Sequence, residues 1–183
     1  QNTALVTINP LPSITGTLNV CAGATTQLTG SATAAASNAW GSSNTAIATV
    51  SGTGLVTGVS AGTATITYTN SNGCSQTATV TVNALPTATI SGSTTICSGD
   101  TAAITITGTP NATVTYTVNG GAQQTVVLDA TGTAVLNTAA ITATTTFELV
   151  GATSAASSCT AAVTGSAVIT VKTLPTAVIS GTT

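Results

Sequence analysis

Thr63-Ala64-Thr65-Ile66-Thr67-Tyr68-Thr69 alternates without a break, with Ala64, Ile66 and Tyr68 on one side and Thr on the other. Successive side chains of a strand point to opposite faces, so this stretch predicts a strand with one face in a core and one in water. Thr77 to Val82 and Thr113 to Val118 alternate in the same way. Turn signals separate such runs: Ser51-Gly52, Ala61-Gly62, Asn72-Gly73, Asn119-Gly120-Gly121 and Thr131-Gly132. Regular alternation punctuated by Gly-containing turns predicts an all-β fold of antiparallel sandwiches, with about seven short strands per domain. Ala32 to Ala36 comes nearest to a helical pattern, but it is short and lies among turn residues.

Composition narrows function by exclusion. Of 183 residues only Asp100, Asp129, Glu148 and Lys172 are charged, there is no His, and aromatics make up 2%. Without His the chain lacks the commonest general base and transition-metal ligand. One cation cannot neutralise a run of phosphates, so no nucleic acid is expected as a partner. Disorder is not expected, because 42% of the residues are hydrophobic and the net charge is −2, whereas disordered chains pair low hydrophobicity with high charge. Mean hydropathy is +0.51, yet no apolar run approaches the 18 or so residues of a spanning helix. The four aromatics Trp40, Tyr68, Tyr116 and Phe147 are too few for the girdles of a transmembrane barrel, so no membrane insertion is expected.

The chain repeats itself. Thr7-Ile8-Asn9-Pro10-Leu11-Pro12, Thr81-Val82-Asn83-Ala84-Leu85-Pro86 and Thr170-Val171-Lys172-Thr173-Leu174-Pro175 each end an alternating strand on Leu-Pro. Proline lacks a ladder N–H and holds its predecessor extended, which predicts a short, stiff connection. The expected cuts are 1–10, the last strand of a preceding repeat; 11–84 and 85–173, two complete domains; and 174–183, the first strand of a following repeat. The natural protein is then longer on both sides. In a rival reading, the end strands pair with identical chains in a filament by strand addition.

Cys21 and Cys97 follow the first strand of each domain, and Cys74 and Cys159 precede the last. Matching placement in unequal repeats argues for one disulfide inside each domain, Cys21–Cys74 and Cys97–Cys159. The other two connectivities would staple different domains together. Closing a loop of about 53 residues would stabilise by about 4 kcal/mol. Disulfides imply an oxidising compartment and so export. A metal reading is poor, since there is no C-x-x-C pair and no His.

Two resemblances follow. Ala39-Trp40-Gly41-Ser42-Ser43-Asn44, Ala48-Thr49-Val50 and Gly54-Leu55-Val56-Thr57-Gly58-Val59 lead into Ser60-Ala61-Gly62-Thr63. This order resembles the bacterial immunoglobulin-like group 2 domain of surface adhesins over most of residues 37–83. It implies an Ig-like β-sandwich, with Trp40 as its large core anchor beside the disulfide. Leu85-Pro86-Thr87-Ala88, Ile96-Cys97-Ser98-Gly99-Asp100 and Tyr116-Thr117-Val118-Asn119-Gly120-Gly121 look like the Cys-containing Ig-like or PKD-like repeats of large exported Bacteroidota proteins, gliding-motility adhesins among them. That second resemblance implies a modification, because Asp100-Thr101-Ala102 is similar to the O-glycosylation acceptor of that phylum, with Thr101 as the acceptor.

Chemistry is sparse. Ser and Thr have no base beside them except three carboxylates and one lysine, and the strand-face reading of these hydroxyls prevails. Asp129 precedes a turn, where Asp commonly bonds local backbone. Glu148 alternates out of phase with Phe147 and Leu149 and is expected to face water. Calcium wants six to eight oxygens, and the domain 11–84 holds no carboxylate side chain. No catalytic residue, metal or cofactor is expected. The expected function is structural: a stalk or fibre segment of an extracellular, cell-surface adhesin or filament, with neighbouring Ig-like repeats as partners. The alternative is a carbohydrate-binding or ice-binding β-sandwich module.

Overall fold

The structure, a computed structural model, describes residues 8–173 and Pro175. Of the expected strand at 1–10 only residues 8–10 are described, and they form no strand. The strand expected at 174–183 lies outside the described residues apart from Pro175. The described residues contain strands, turns and irregular segments and no helix. The chain divides into two compact units between Leu85 and Pro86.

The first unit holds β1 (Ile14–Gly16), β2 (Asn19–Cys21), β3 (Thr25–Gly30), β4 (Trp40–Ser42), β5 (Ala48–Val50), β6 (Leu55–Gly58), β7 (Gly62–Thr69) and β8 (Ser75–Asn83). They form two sheets, β1-β3-β6-β5 and β2-β8-β7-β4. Ala64, Ile66 and Tyr68 of β7 are all buried, as their alternation predicts, and the intervening Thr are half-buried. Ala64 and Ile66 meet Leu28, Val56 and Val80 in one core. The first strand is split between the sheets. β1 lies antiparallel to β3, and the chain then crosses so that β2 runs parallel to β8.

The second unit holds β9 (Ala88–Ser91), β10 (Thr94–Cys97), β11 (Ala103–Gly108), β12 (Thr113–Val118), β13 (Gln124–Val127), β14 (Thr133–Asn137), β15 (Thr145–Thr153), β16 (Thr160–Ala162) and β17 (Ser166–Lys172). One sheet is β14-β11-β9; the other is β10-β17-β15-β12-β13, with β16 also on β15. Ile104, Ile106, Val114, Leu128, Phe147 and Ile169 centre its core. The split recurs: β9 lies antiparallel to β11, and β10 runs parallel to β17.

These pairings fix where the chain enters and leaves each unit. In the first, Ile14 opens β1 opposite Gly30, while the chain leaves at Asn83, opposite Cys21. Cys21 leads through a short turn to Thr25, the far end of β3 from Gly30. Entry and exit therefore lie at opposite ends of the sandwich. In the second, Ala88 enters opposite Gly108, and Lys172 leaves opposite Cys97, which precedes Ala103 at the other end of β11. Again the chain runs straight through.

Candidate functional site

The four cysteines occupy these ends in pairs. Cys21 and Cys97 each begin a four-residue turn at the exit end. The N–H of Ala24 donates to the Cys21 carbonyl at 3.0 Å, and that of Asp100 to the Cys97 carbonyl at 3.2 Å. The third residue of each turn needs positive φ, and Gly23 (81°) and Gly99 (96°) supply it. Cys74 and Cys159 each close the loop at the entry end. Asn70 N–H donates to the Cys74 carbonyl at 3.0 Å, and Ser154 N–H to the Cys159 carbonyl at 2.8 Å.

This placement corrects the expected pairing. Cys74 and Cys97 carry free thiols, while Cys21 and Cys159 are disulfide-bonded. Neither expected bond, Cys21–Cys74 or Cys97–Cys159, is formed. The reason is distance. Cys21 lies opposite Asn83, the last residue of β8, while Cys74 precedes its first residue. The nine residues of β8 hold the two about 30 Å apart at about 3.3 Å per residue, whereas a disulfide needs Cα atoms within about 7 Å. In the second unit Cys97 lies opposite Lys172, and Cys159 adjoins Thr160, which pairs with Thr153 at the far end of β15. That strand also has nine residues and imposes a similar gap.

Trp40 packs on Tyr68 with ring centroids 4.6 Å apart and planes tilted by 44°. It is half-buried at the margin of the core rather than inside it. Nor does it adjoin Cys21: Trp40 pairs with Tyr68, which pairs with Gln76 at the Cys74 end of β8. The Tyr68 hydroxyl donates to the Ala32 carbonyl at 3.0 Å. Beside the pair lies a cavity of about 270 Å³ bordered by Gln27, Thr53 and Trp40. In the second unit, Tyr116 and Phe147 floor an open groove of about 580 Å³ between β13 and β14. Both residues are only 7% exposed, so neither presents an open aromatic platform.

The charged groups are dispersed. Asp129 Oδ1 accepts from the Thr131 hydroxyl at 2.6 Å and from the N–H groups of Thr131 at 2.8 Å and Thr133 at 2.9 Å. The Thr131 hydroxyl first, and then the Thr133 N–H, hold its carboxyl below the usual 3.8. This is the local backbone capture expected of an Asp before a turn. Glu148 is exposed between buried Phe147 and Leu149, as its phase predicts. Asp100 Oδ2 accepts from the Cys97 N–H at 3.3 Å, and Thr101 beside it is exposed. Among the described residues no three His, Cys, Asp or Glu side chains gather into a possible metal site.

Residues 12–82 match the model of the bacterial Ig-like domain (group 2). The first unit has an Ig-like fold. No curated protein matches the chain. Among solved structures, domains 4 and 5 of the S-layer protein SbsC align over 88% of this chain and 98% of theirs, at 16% identity and a TM-score of 0.38. A putative membrane-anchored protein from Corynebacterium diphtheriae aligns over 89% of this chain and 53% of its own, at 14% identity and a TM-score of 0.39. A longer SbsC structure aligns over 81% of this chain at 17% identity and a TM-score of 0.34, and this chain spans 23% of its length.

Proposed function

We propose that the chain is a load-bearing segment of an extracellular surface protein, a stalk or fibre built from successive Ig-like modules, with no catalytic role. The second unit is read as such a module because it repeats the split first strand of the first. One observation carries the reading: in each unit the chain enters at one end and leaves at the other. A module threaded in this way adds its full length to a chain and passes tension through itself.

The same topology resists that tension. Pulling entry from exit loads the parallel β2–β8 and β10–β17 ladders along their length, so their hydrogen bonds must fail together rather than one by one. The surface suits a passive polymer. Thr, Ser and Asn stay hydrated without ion pairs, and a near-neutral chain exerts little repulsion on its neighbours. Thr101 is exposed, as an O-glycosylation acceptor must be. Electron microscopy of the purified native protein tests the proposal. Long beaded filaments or stalks are expected, and compact particles that bind a glycan array would overturn it.

A further inference from the structure

β14 pairs with β11 as β6 pairs with β3, but only β6 has a strand on its other side. In the first unit that strand is β5, antiparallel to β6. In the second, the strand after β12 joins the other sheet, and β14 is left at the edge of β14-β11-β9. Register shows what this edge offers. The Thr138 N–H donates to the Ala102 carbonyl at 2.9 Å, and the Gly108 N–H to the Gly132 carbonyl at 2.9 Å. Antiparallel ladders alternate, so Ala134 and Leu136 also turn their backbone groups to β11. Those of Val135 and Asn137 turn outward, and among the described residues no strand meets them. Thr133–Asn137 holds no charge, no Pro and no bulge, the devices by which edge strands deter new partners.

Beside this edge lies the open groove of about 580 Å³ over Tyr116 and Phe147, within the range of ligand clefts, about 300–1,000 Å³. Val135, 53% exposed, and half-buried Leu136 border it, and no charged side chain does. The first unit fills the corresponding place from within. Ala48 of β5 is fully buried, Ile47 and Val50 pack against the core, and Thr49 is exposed.

We propose that the outer edge of β14 and the groove beside it dock an extended segment of a partner protein, uncharged and alternating small apolar residues with Thr or Ser. The segment adds to β14 as an antiparallel strand, as β5 adds to β6, and bonds the outward N–H and C=O groups of Val135 and Asn137. Its apolar side chains enter the groove and its hydroxyl residues face water. The pattern is that of β5, and the uncharged border of the groove requires it, since a charge buried there would have no partner. A second copy paired through its own β14 brings no side chains for the groove, because its Ala134 and Leu136 are already packed on its own core. The site lies within the second unit and does not depend on the stalk reading.

The probe is a fluorescent synthetic peptide of residues 45–51, the β5 segment, with a lysine at each end for solubility. It is titrated into the whole chain and into Val135→Pro and Val135→Lys. Proline removes an outward N–H without touching the β11 ladder, and lysine sets a charge at the border of the groove. Saturable binding is expected, weakened about tenfold by each variant and lost when the peptide carries A48D and V50D. With peptide bound, hydrogen exchange of the Val135 and Asn137 amides is expected to slow about tenfold, and that of first-unit amides to stay level. Unchanged melting of both variants confirms that they fold. The absence of saturable binding, binding that both variants keep, or slowed exchange confined to the first unit would each overturn the proposal. So would dimers of the peptide-free chain that Val135→Pro dissolves, which would assign the edge to a second copy. None of these results bears on the filaments or stalks sought in micrographs, so the two readings fail separately.

Discussion

The two units share a split first strand and differ in one crossing, besides the extra strand β16 that the second lays on β15. After β4 the first unit sends its chain to the opposite sheet, where β5 pairs with β6. After β12 the second returns at once, and β13 pairs with β12 itself. The cause is local. Asn119 (51°) and Gly120 (66°) both take positive φ, which closes a tight turn from Val118 to Gly121 of the kind that matches strand twist. In the first unit Asn44 instead accepts the Ala46 N–H through its side chain at 3.1 Å and the Ala48 N–H through its carbonyl at 3.0 Å. That winds the chain away from β4. Two short turns thus decide which sheet gains a strand, while the ends of the module are untouched.

A second contrast lies in one loop. Ser51 to Leu55 and Asp129 to Thr133 make the same turn: the first side-chain oxygen accepts from the N–H groups two and four residues on. Asn70 does the same for Asn72 and Cys74. The fourth residue is Gly each time, with φ of 85°, 79° and 80° at Gly54, Gly73 and Gly132. The turn needs an oxygen and a left-handed residue. Charge is optional.

The largest effect should come from that glycine where it is crowded. A Cβ on Gly54 would meet the Leu28 carbonyl and the Trp40 ring, whereas one on Gly73 meets open space. Gly54→Ala is expected to destabilise the first unit by about 3 kcal/mol, and Gly73→Ala by only about 1 kcal/mol, in chemical denaturation. Equal costs would show that crowding at Trp40 does not matter. Next, Leu28→Ala and Ile106→Ala should each cost about 3 kcal/mol, each lowering the melting of its own unit, since the two cores are separate.

Acid should separate the units further. A carboxyl held below its ordinary value stabilises the fold above the unfolded value of 3.8, and that stability is lost as pH falls through the folded value. The second unit is expected to lose melting temperature below about pH 4, and the first, with no carboxylate between residues 11 and 84, to stay level. Asp129→Ser, which installs the first unit's solution, should flatten the second unit's profile; an unchanged slope would assign it to another carboxyl. The smallest effect belongs to the terminal ladders. The Ala22 N–H donates to the Asn83 carbonyl at 2.9 Å, and the Ser98 N–H to that of Lys172 at 3.0 Å. Both residues hold the turn position proline favours. Ala22→Pro and Ser98→Pro should each cost about 1 kcal/mol at equilibrium, but lower the rupture force in single-molecule pulling more than their stability change suggests.

Alternation made the fold legible: Ala64, Ile66, Tyr68, Val114 and Tyr116 are buried as their phase demands. The Asp129 turn and the outward Glu148 were also readable from neighbours in sequence. The cysteine pairing was not. Matching positions in two repeats fit a bond inside each unit. Strand direction rules that bond out. The first strand changes sheets and runs parallel to the last, so a cysteine after the first strand sits at the end of the last strand, and a cysteine before the last strand sits at its start. No residue type in β2 or β10 signals that crossing. Trp40 was misplaced with the same error, since it was read as lying beside a disulfide that the topology forbids.

Peptide mapping of the oxidised native chain, cleaved without reductant, addresses the opposed ends of each unit most directly. Linked peptides within a unit are expected to be absent, with Cys21 and Cys159 protected from alkylation and Cys74 and Cys97 alkylated in dilute monomer. Recovery of Cys21–Cys74 or Cys97–Cys159 peptides would bring together ends that β8 and β15 hold about 30 Å apart, and would contradict the through-running module on which the account rests.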